Sequence, residues 1–195
     1  MPTGLVALAG AWIVWCALHS LLAWPPLAAL LARYLGAGQR LCYNLFALVS
    51  LIPVALLYAS AAGPLLVVWP EWLRPLQWLA RALALWLFLA GARAYAMGEF
   101  LGLSQLRPGP VHPPRALVTA GILGRLRHPW YLAALLLLWC RDLAARDLLS
   151  AVLLSGYLWL GSVLEERRLA AEFGDAYRRY RASVPRFWLR WRRRR

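Results

Sequence analysis

The chain has 195 residues, 62% of them hydrophobic, and a formal net charge of +14 carried by 22 arginines and no lysine. A soluble domain of this size is about half apolar, and the excess here falls in long blocks separated by Arg and Pro, which excludes an ordinary water-soluble globule. Such a basic balance in a soluble protein would indicate nucleic acid; beside apolar blocks it indicates anionic lipid headgroups, so the lipid bilayer is the expected partner and nucleic acid is not.

A membrane helix needs about 20 mainly apolar residues. The first block, Leu5 to Ala23, ends at Trp24-Pro25-Pro26 and lacks the charged start and small-residue cleavage site of a signal peptide, so it is expected to span. The second runs from Leu41 to Ala61, with a kink expected from Pro53. The third runs from Leu73 to Tyr95 and carries one awkward charge, Arg81. A fourth, short block runs from Pro129 to Cys140 and a fifth from Leu148 to Leu164, joined by a tight helical hairpin over Arg141 to Asp147. The expected fold class is therefore all-α: a polytopic membrane helix bundle of about five transmembrane helices with a C-terminal cytoplasmic amphipathic helix. It is expected to form one membrane domain, with a three-span part over 1–96 and a two-span hairpin in 97–195. Cys16, Cys42 and Cys140 are far apart with no CxxC pair, so neither a metal set nor a disulfide framework is expected.

Arginine placement predicts the orientation. Arg33 and Arg40 follow the first span, Arg93, Arg107, Arg115, Arg125 and Arg127 the third, and eleven arginines from Arg167 to Arg195 the fifth. The opposite side receives Arg74, Arg141 and Arg146. An odd span count puts the rich segments on one face, which predicts a cytoplasmic C-terminus and an outside N-terminus. The all-arginine, Ala- and Leu-rich composition reads as GC-rich bacterial coding, so a bacterial inner membrane is expected. Trp24, Trp69, Trp72, Trp188 and Trp191 lie near span ends or in the tail, where indoles favour the headgroup boundary.

Two segments on the arginine-rich face carry candidate chemistry. In Arg115 to Tyr131, Gly121 and Gly124 allow close approach of backbone to a ligand. Pro129 suits a helix start, which places His128 by the free N–H groups and positive dipole end of that helix; the same His-Pro pair also serves as a plain helix cap. In Leu164 to Phe187, Glu165 and Glu166 fall where the fifth span reaches the surface, a costly and often functional position for acids. Leu169, Phe173, Tyr177 and Tyr180 then share one helical face that also fits a simple surface helix. Flanking one hairpin, the two segments are expected to converge and bring His128, Tyr131, Glu165 and Tyr177 together. That set suits a ligand with a cationic centre, hydroxyls and an aromatic base.

The ordered motifs resemble the isoprenylcysteine carboxyl methyltransferase-like superfamily of integral membrane enzymes. They are Leu117-Val118 with Gly121; Arg127-His128-Pro129 with Tyr131; Glu165-Glu166 with Leu169; Phe173-Gly174 with Tyr177 and Tyr180; and Val184-Pro185-Arg186. His19-Ser20-Leu21, Leu41-Cys42-Tyr43-Asn44 and Phe100 to Leu106 resemble the branch holding methanethiol S-methyltransferases and denitrification-linked membrane proteins. The resemblance implies S-adenosyl-L-methionine as cofactor, with contacts on Ala116, Leu117 and Val118, on His128, Pro129 and Tyr131, and on Glu165, to which Gly121 and Tyr177 are added from the reading above. Glu165, Glu166 and Arg127 are the candidate catalytic residues and His19, Asn44 and Gln105 the candidate substrate residues; His19 and Asn44, polar groups in or beside spans, equally fit as packing partners hydrogen-bonded to each other. Two positions depart from the pattern. Leu123 stands where members often have Tyr, and Gly161 where prenylcysteine enzymes carry an Arg for the substrate carboxylate. The expected acceptor is therefore a small or lipophilic thiol. A phospholipid amine, a prenylcysteine carboxylate and a non-catalytic accessory protein of the same fold are the alternatives.

Overall fold

The computed structural model describes residues 2–107 and 116–189. Arg115, Trp191 and the arginines from Arg190 onward lie outside the described residues. In chain order come α1 (Pro2–Ala23), α2 (Pro25–Leu35), α3 (Gln39–Val49), α4 (Leu51–Ser60), a short strand β1 (Leu65–Val67), α5 (Arg74–Ala94), α6 (Met97–Leu101), α7 (Pro129–Trp139), a second short strand β2 (Leu143–Ala144) paired with β1, and α8 (Ala145–Ser183). Among the described residues, four stretches are long and apolar enough to cross a membrane: Thr3–Ala23, Pro25–Ser60, Glu71–Ala94 and Ala145–Ser183. Their large apolar side chains point outward, among them Val6, Ile13, Ile52, Leu79 and Val152. Such exposure suits lipid tails, and a helix satisfies its own backbone there.

Three details differ from the sequence expectation. Residues 25–35, lying between the first two expected spans, form α2, because Pro25 and Pro26 stand at its first positions, where a missing N–H costs nothing. The break expected from Pro53 falls four residues earlier, where α3 ends at Val49; a proline ring meets the carbonyl of residue i−4, and here that carbonyl belongs to Val49. The fifth span and the start of the amphipathic segment form one helix that runs from Ala145 through Glu165 to Gly174, whose non-helical backbone (φ 54°, ψ −127°) turns the chain into a second helical stretch ending at Ser183; α8 denotes the two together. At 1.5 Å per residue the stretch from Ala145 to Leu164 rises about 30 Å, enough for a bilayer, and the part from Glu165 on extends beyond it.

The chain forms two compact units, each assembled from three segments. The first comprises Met1–Leu66, Ala96–His112 and Leu143–Leu153. In it, α1 is fastened by Trp12 Nε1 donating to Ser150 Oγ (2.9 Å), Trp15 Nε1 donating to the Ala47 carbonyl (3.1 Å) and His19 Nε2 paired with the Tyr43 hydroxyl (2.8 Å). The Tyr58 hydroxyl donates to Asp147, whose other oxygen accepts from the Ala144 amide and so caps the start of α8. Gly102 is obligatory: its φ is +88°, and a Cβ there would lie 2.6 Å from the Leu41 amide nitrogen.

The second unit comprises Val67–Tyr95, Pro113–Asp142 and Leu154–Arg195. Its core joins Ala84 and Leu87 of α5, Ile122, Leu123 and Leu126 of the following loop, and Ala133 of α7. Helix α7 runs antiparallel to α5. At one end Trp130 donates to the Phe88 carbonyl (3.0 Å), and at the other Asp142 accepts from Arg74 (2.8 Å) and the Trp69 amide (2.9 Å). Gly91 makes room for that indole, since a Cβ there would lie 2.3 Å from Trp130 Nε1. With 11 residues α7 is about 16 Å long, short of a span by itself. Together with Cys140–Asp142 it nevertheless tracks α5 from Phe88 back to Arg74, about 21 Å. The stretch of α8 from Ser155 to Glu165 runs antiparallel to α7, with Trp139 Nε1 donating to Ser155 Oγ (2.9 Å) and the Tyr131 hydroxyl donating to Glu165 (3.0 Å). The end of α5, the start of α7 and Glu165 of α8 therefore lie at one end of this unit. Arg81, the charge in the third span, lies over the Trp78 ring at 4.7 Å, which lets a cation remain among apolar neighbours.

Candidate functional site

The site lies in the second unit, where the loop into α7, the polar half of α8 and the segment after α8 meet. The loop is shaped by Gly121, whose φ of +61° suits only glycine without strain, and by Gly124, where a Cβ would lie 2.9 Å from the Thr119 carbonyl. This turn drives Ile122 and Leu123 into the core and delivers Arg127 and His128 to the mouth of α7.

Glu166 is the centre of the site, 1% exposed. Its Oε1 accepts from Arg127 Nε (3.0 Å), Arg186 Nε (2.9 Å) and His128 Nε2 (3.1 Å), with Arg127 Nη2 at 2.9 Å; its Oε2 accepts from Arg186 Nη2 (2.7 Å). Burial alone would raise this carboxyl; the hydrogen bonds from Arg186, His128 and Arg127 outweigh it and hold the carboxyl down at about 2. The same contact raises the Arg186 guanidinium. Arg127 also donates through Nη1 to the carbonyls of Arg181 (2.8 Å) and Val184. Backbone bonds complete the joint: Arg127 N donates to the Pro185 carbonyl (3.0 Å) and His128 N to the Arg186 carbonyl (3.3 Å). The Arg-His-Pro and Val-Pro-Arg motifs are thus two sides of one clamp. Arg127 and Glu166 are committed to that clamp with their polar atoms already engaged.

Glu165, one residue along α8, points elsewhere. Its side chain is 45% exposed, accepts from the Tyr131 hydroxyl and stands 3.6 Å from His128 Nδ1. His128 is 5% exposed and is sandwiched, its ring stacked on Tyr131 (centroids 5.0 Å, 17°) and tilted against Phe187 (5.9 Å). Burial lowers the His128 pKa in spite of the two nearby carboxylates. Tyr177 is buried beside Tyr180, whose hydroxyl donates to the Leu123 carbonyl (2.7 Å). Leu123, a departure from the family pattern, therefore still holds the loop to α8 through its backbone. Gly161 lies against the same cluster: a Cβ there would be 3.7 Å from the Tyr131 hydroxyl.

An open groove of about 1040 Å³ is lined by Leu117, Thr119, Gly121, Gly124, Arg125, Ala176, Arg179, Tyr180, Ser183 and Val184. Of the expected cofactor residues, Leu117 and Gly121 line it; Ala116 and Val118, on either side of Leu117 and outside any helix or strand, are exposed. His128, Pro129, Tyr131 and Glu165 form the neighbouring cluster. The expected substrate residues fall in the first unit, where each has a partner. His19 pairs with Tyr43, Asn44 Nδ2 donates to the Phe100 carbonyl (3.0 Å) and Gln105 Nε2 to the Glu99 carbonyl (3.0 Å). His19 and Asn44, expected as possible partners of each other, are held by different groups, because Tyr43 and Asn44 are adjacent on α3 and project about 100° apart. The residue missed as a functional candidate is Arg186. The signal was available: a carboxylate as deep as Glu166 requires cations, and the Val-Pro-Arg motif supplies one.

Long apolar helices with lipid-facing side chains, and a polar cluster confined to one end of them, make this an all-α polytopic membrane protein. Residues 7–189 match the family model described as NnrU protein, and the chain belongs to that family. The match agrees with the superfamily resemblance carried by the motifs. The chain is also similar to methanethiol S-methyltransferase 1 of Bradyrhizobium diazoefficiens, with 38% identity over 99 residues, covering 49% of this chain and 34% of that protein. It is similar to the methanethiol S-methyltransferase of a Pseudomonas species, with 37% identity over 60 residues, covering 30% of this chain and 23% of the relative. The alignments thus span 34% and 23% of these curated relatives' lengths. No solved structure matches the chain.

Proposed function

We propose that the protein is an S-adenosyl-L-methionine-dependent methyltransferase of the bacterial cytoplasmic membrane that methylates a small or lipophilic thiol. The similarity to two proteins named methanethiol S-methyltransferase carries this reading. The site's chemistry supports it. Glu165 offers a half-exposed carboxylate beside aromatic faces, a suitable seat for a cationic centre, and the groove at Leu117 and Gly121 is open, with nothing within 4 Å of a Cβ built at Gly121. These residues fit the cofactor. S-adenosyl-L-methionine supplies an electrophilic sulfonium methyl, so the protein's task is to align the acceptor with it and to exclude water.

The acceptor follows from charge. Gly161 leaves no cation beside Tyr131, and a carboxylate in a low-dielectric pocket needs one. A thiol needs only modest lowering of its pKa of about 8.5. Arg127 is neutralised by Glu166, which leaves Arg125, exposed on the groove, to provide a favourable field. In this reading the site faces the cytoplasm, with the N-terminus outside.

The test is incubation of the purified protein in nanodiscs with methyl-labelled S-adenosylmethionine and a panel of methanethiol, longer alkyl thiols, prenylated cysteine and phosphatidylethanolamine. Turnover is expected with a thiol. Faster turnover of prenylcysteine or of the lipid amine overturns the substrate, and cofactor binding without turnover of any acceptor indicates the non-catalytic accessory reading.

A further inference from the structure

His128 presents its two ring nitrogens to two different carboxylates. Glu166 is ionised, and an ionised carboxylate only accepts hydrogen bonds. The 3.1 Å contact from His128 Nε2 to Glu166 Oε1 therefore requires a proton on Nε2. In the neutral imidazole this leaves Nδ1 as a bare lone pair. Nδ1 faces Glu165, whose half-exposed carboxylate stands 3.6 Å away, beyond hydrogen-bond distance and itself bonded to Tyr131. A carboxylate that orients an imidazole through one nitrogen and leaves the other free to take a proton is the logic of a catalytic base with its orienting acid.

We propose that His128 is the general base of the reaction, taking the acceptor thiol's proton on Nδ1. This deepens the proposed function and rests on it. The S–H proton passes to Nδ1 while the thiol sulfur forms its bond to the sulfonium methyl carbon. The breaking C–S bond leaves its electron pair on the sulfonium sulfur, giving two neutral thioethers, and the imidazolium returns its proton to water past Glu165. Glu165 and Glu166 face the imidazolium from α8 and stabilise it. Arg127 and Arg186 oppose it, and with Glu166 they leave one net positive charge that Glu165 offsets; Tyr131 and Phe187 cover the ring. Burial keeps the ring neutral at cytoplasmic pH, the state a base requires. Glu166 is then a positioning residue that selects the tautomer, and Arg186 is its support.

Two measurements test this. In ¹⁵N-histidine spectra of the full-length protein, the resonances that vanish in His128→Asn are expected to show the Nε2–H tautomer at pH 7.5. A proton on Nδ1 overturns the proposal. In kinetics at saturating S-adenosylmethionine, His128→Asn should slow an alkyl thiol at least 100-fold at pH 7. The variant should recover about tenfold per pH unit towards the thiol's own pKa, and should slow an aryl thiol, already ionised near neutral pH, far less. Equal slowing of both thiols at every pH overturns the base role while the methyltransferase reading stands. No turnover of any thiol by the unaltered protein overturns both.

Discussion

Arg186 grips both oxygens of Glu166, with Nε 2.9 Å from Oε1 and Nη2 2.7 Å from Oε2. This two-point contact ties the segment after α8 back to the middle of that helix. It also supplies the second positive charge that a carboxylate at 1% exposure needs beside Arg127. Removing one partner of a buried pair strands the other and costs about 3–5 kcal/mol. Glu166→Ala is therefore expected to destabilise the second unit by about that much, since it strands both Arg127 and Arg186. Arg186→Lys should be intermediate, because an ammonium cannot reproduce the planar fork. Thermal unfolding in detergent checks the order; an unchanged midpoint for Glu166→Ala would contradict the buried clamp.

Glu165→Ala should behave differently. The side chain is half exposed and makes one hydrogen bond, so unfolding should shift little. Binding of S-adenosylmethionine by calorimetry is expected to weaken tenfold or more, about 1.4 kcal/mol. Binding equal to the unaltered protein would remove Glu165 from the proposed site.

The lowered pKa of His128 fixes a pH dependence. The unfolded chain takes up a proton near 6.5 and the folded one only at lower pH, so between the two values the unfolded state binds more protons. The stability contributed by the neutral ring is complete above pH 6.5 and is lost as pH falls towards the folded value. Unfolding midpoints measured from pH 8 to pH 5 should drop below 6.5, and the drop should shrink in His128→Asn. Glu166 acts further down, its contribution disappearing between about 4.5 and about 2.

At Gly91 the indole of Trp130 occupies the space of a side chain. Gly91→Ala should displace Trp130 from the Phe88 carbonyl and separate α5 from α7, at about 1–3 kcal/mol. Gly10, also in a helix but with nothing within 4 Å, is the control, and Gly10→Ala should not destabilise. Equal effects at the two positions would show that α7 does not seat against α5 as described.

The arginine distribution predicts that reporter fusions at residues 36, 66, 110, 144 and 195 alternate cytoplasmic, outside, cytoplasmic, outside, cytoplasmic. A cytoplasmic signal at 66 or 144 would remove the orientation.

Much of this architecture was legible because lipid exposure is written directly in composition: the apolar blocks are the helices, and Pro53 announced the break after α3. Of the expected convergence of His128, Tyr131, Glu165 and Tyr177, the contact among the first three followed from motif order and the antiparallel α7–α8 hairpin. The division of labour between Glu165 and Glu166 did not. Adjacent helical residues project about 100° apart, and which of them turns inward is set by the rotation of α8 against α7, a property of packing that no local pattern encodes. Helix α2 was hidden for a similar reason: Trp24-Pro25-Pro26 looks like an ending when read from α1 and like a beginning when read from Leu27. Arg186 was lost among the many C-terminal arginines, since sequence does not show which cation folds back onto the carboxylate.

The kink at Gly174 and the clamp behind it impose an order on biosynthesis. Arg127 leaves the ribosome 39 residues before Glu166, and Arg186 leaves 20 residues after it. A nascent chain therefore completes α5, α7 and the apolar part of α8 while its deepest carboxylate holds a single arginine. Only when Val184-Pro185-Arg186 swings back past Gly174 does the two-point contact close on both oxygens. Translational arrest before Arg186 would leave Glu166 with Arg127 and His128 alone, and the segment after α8 untied.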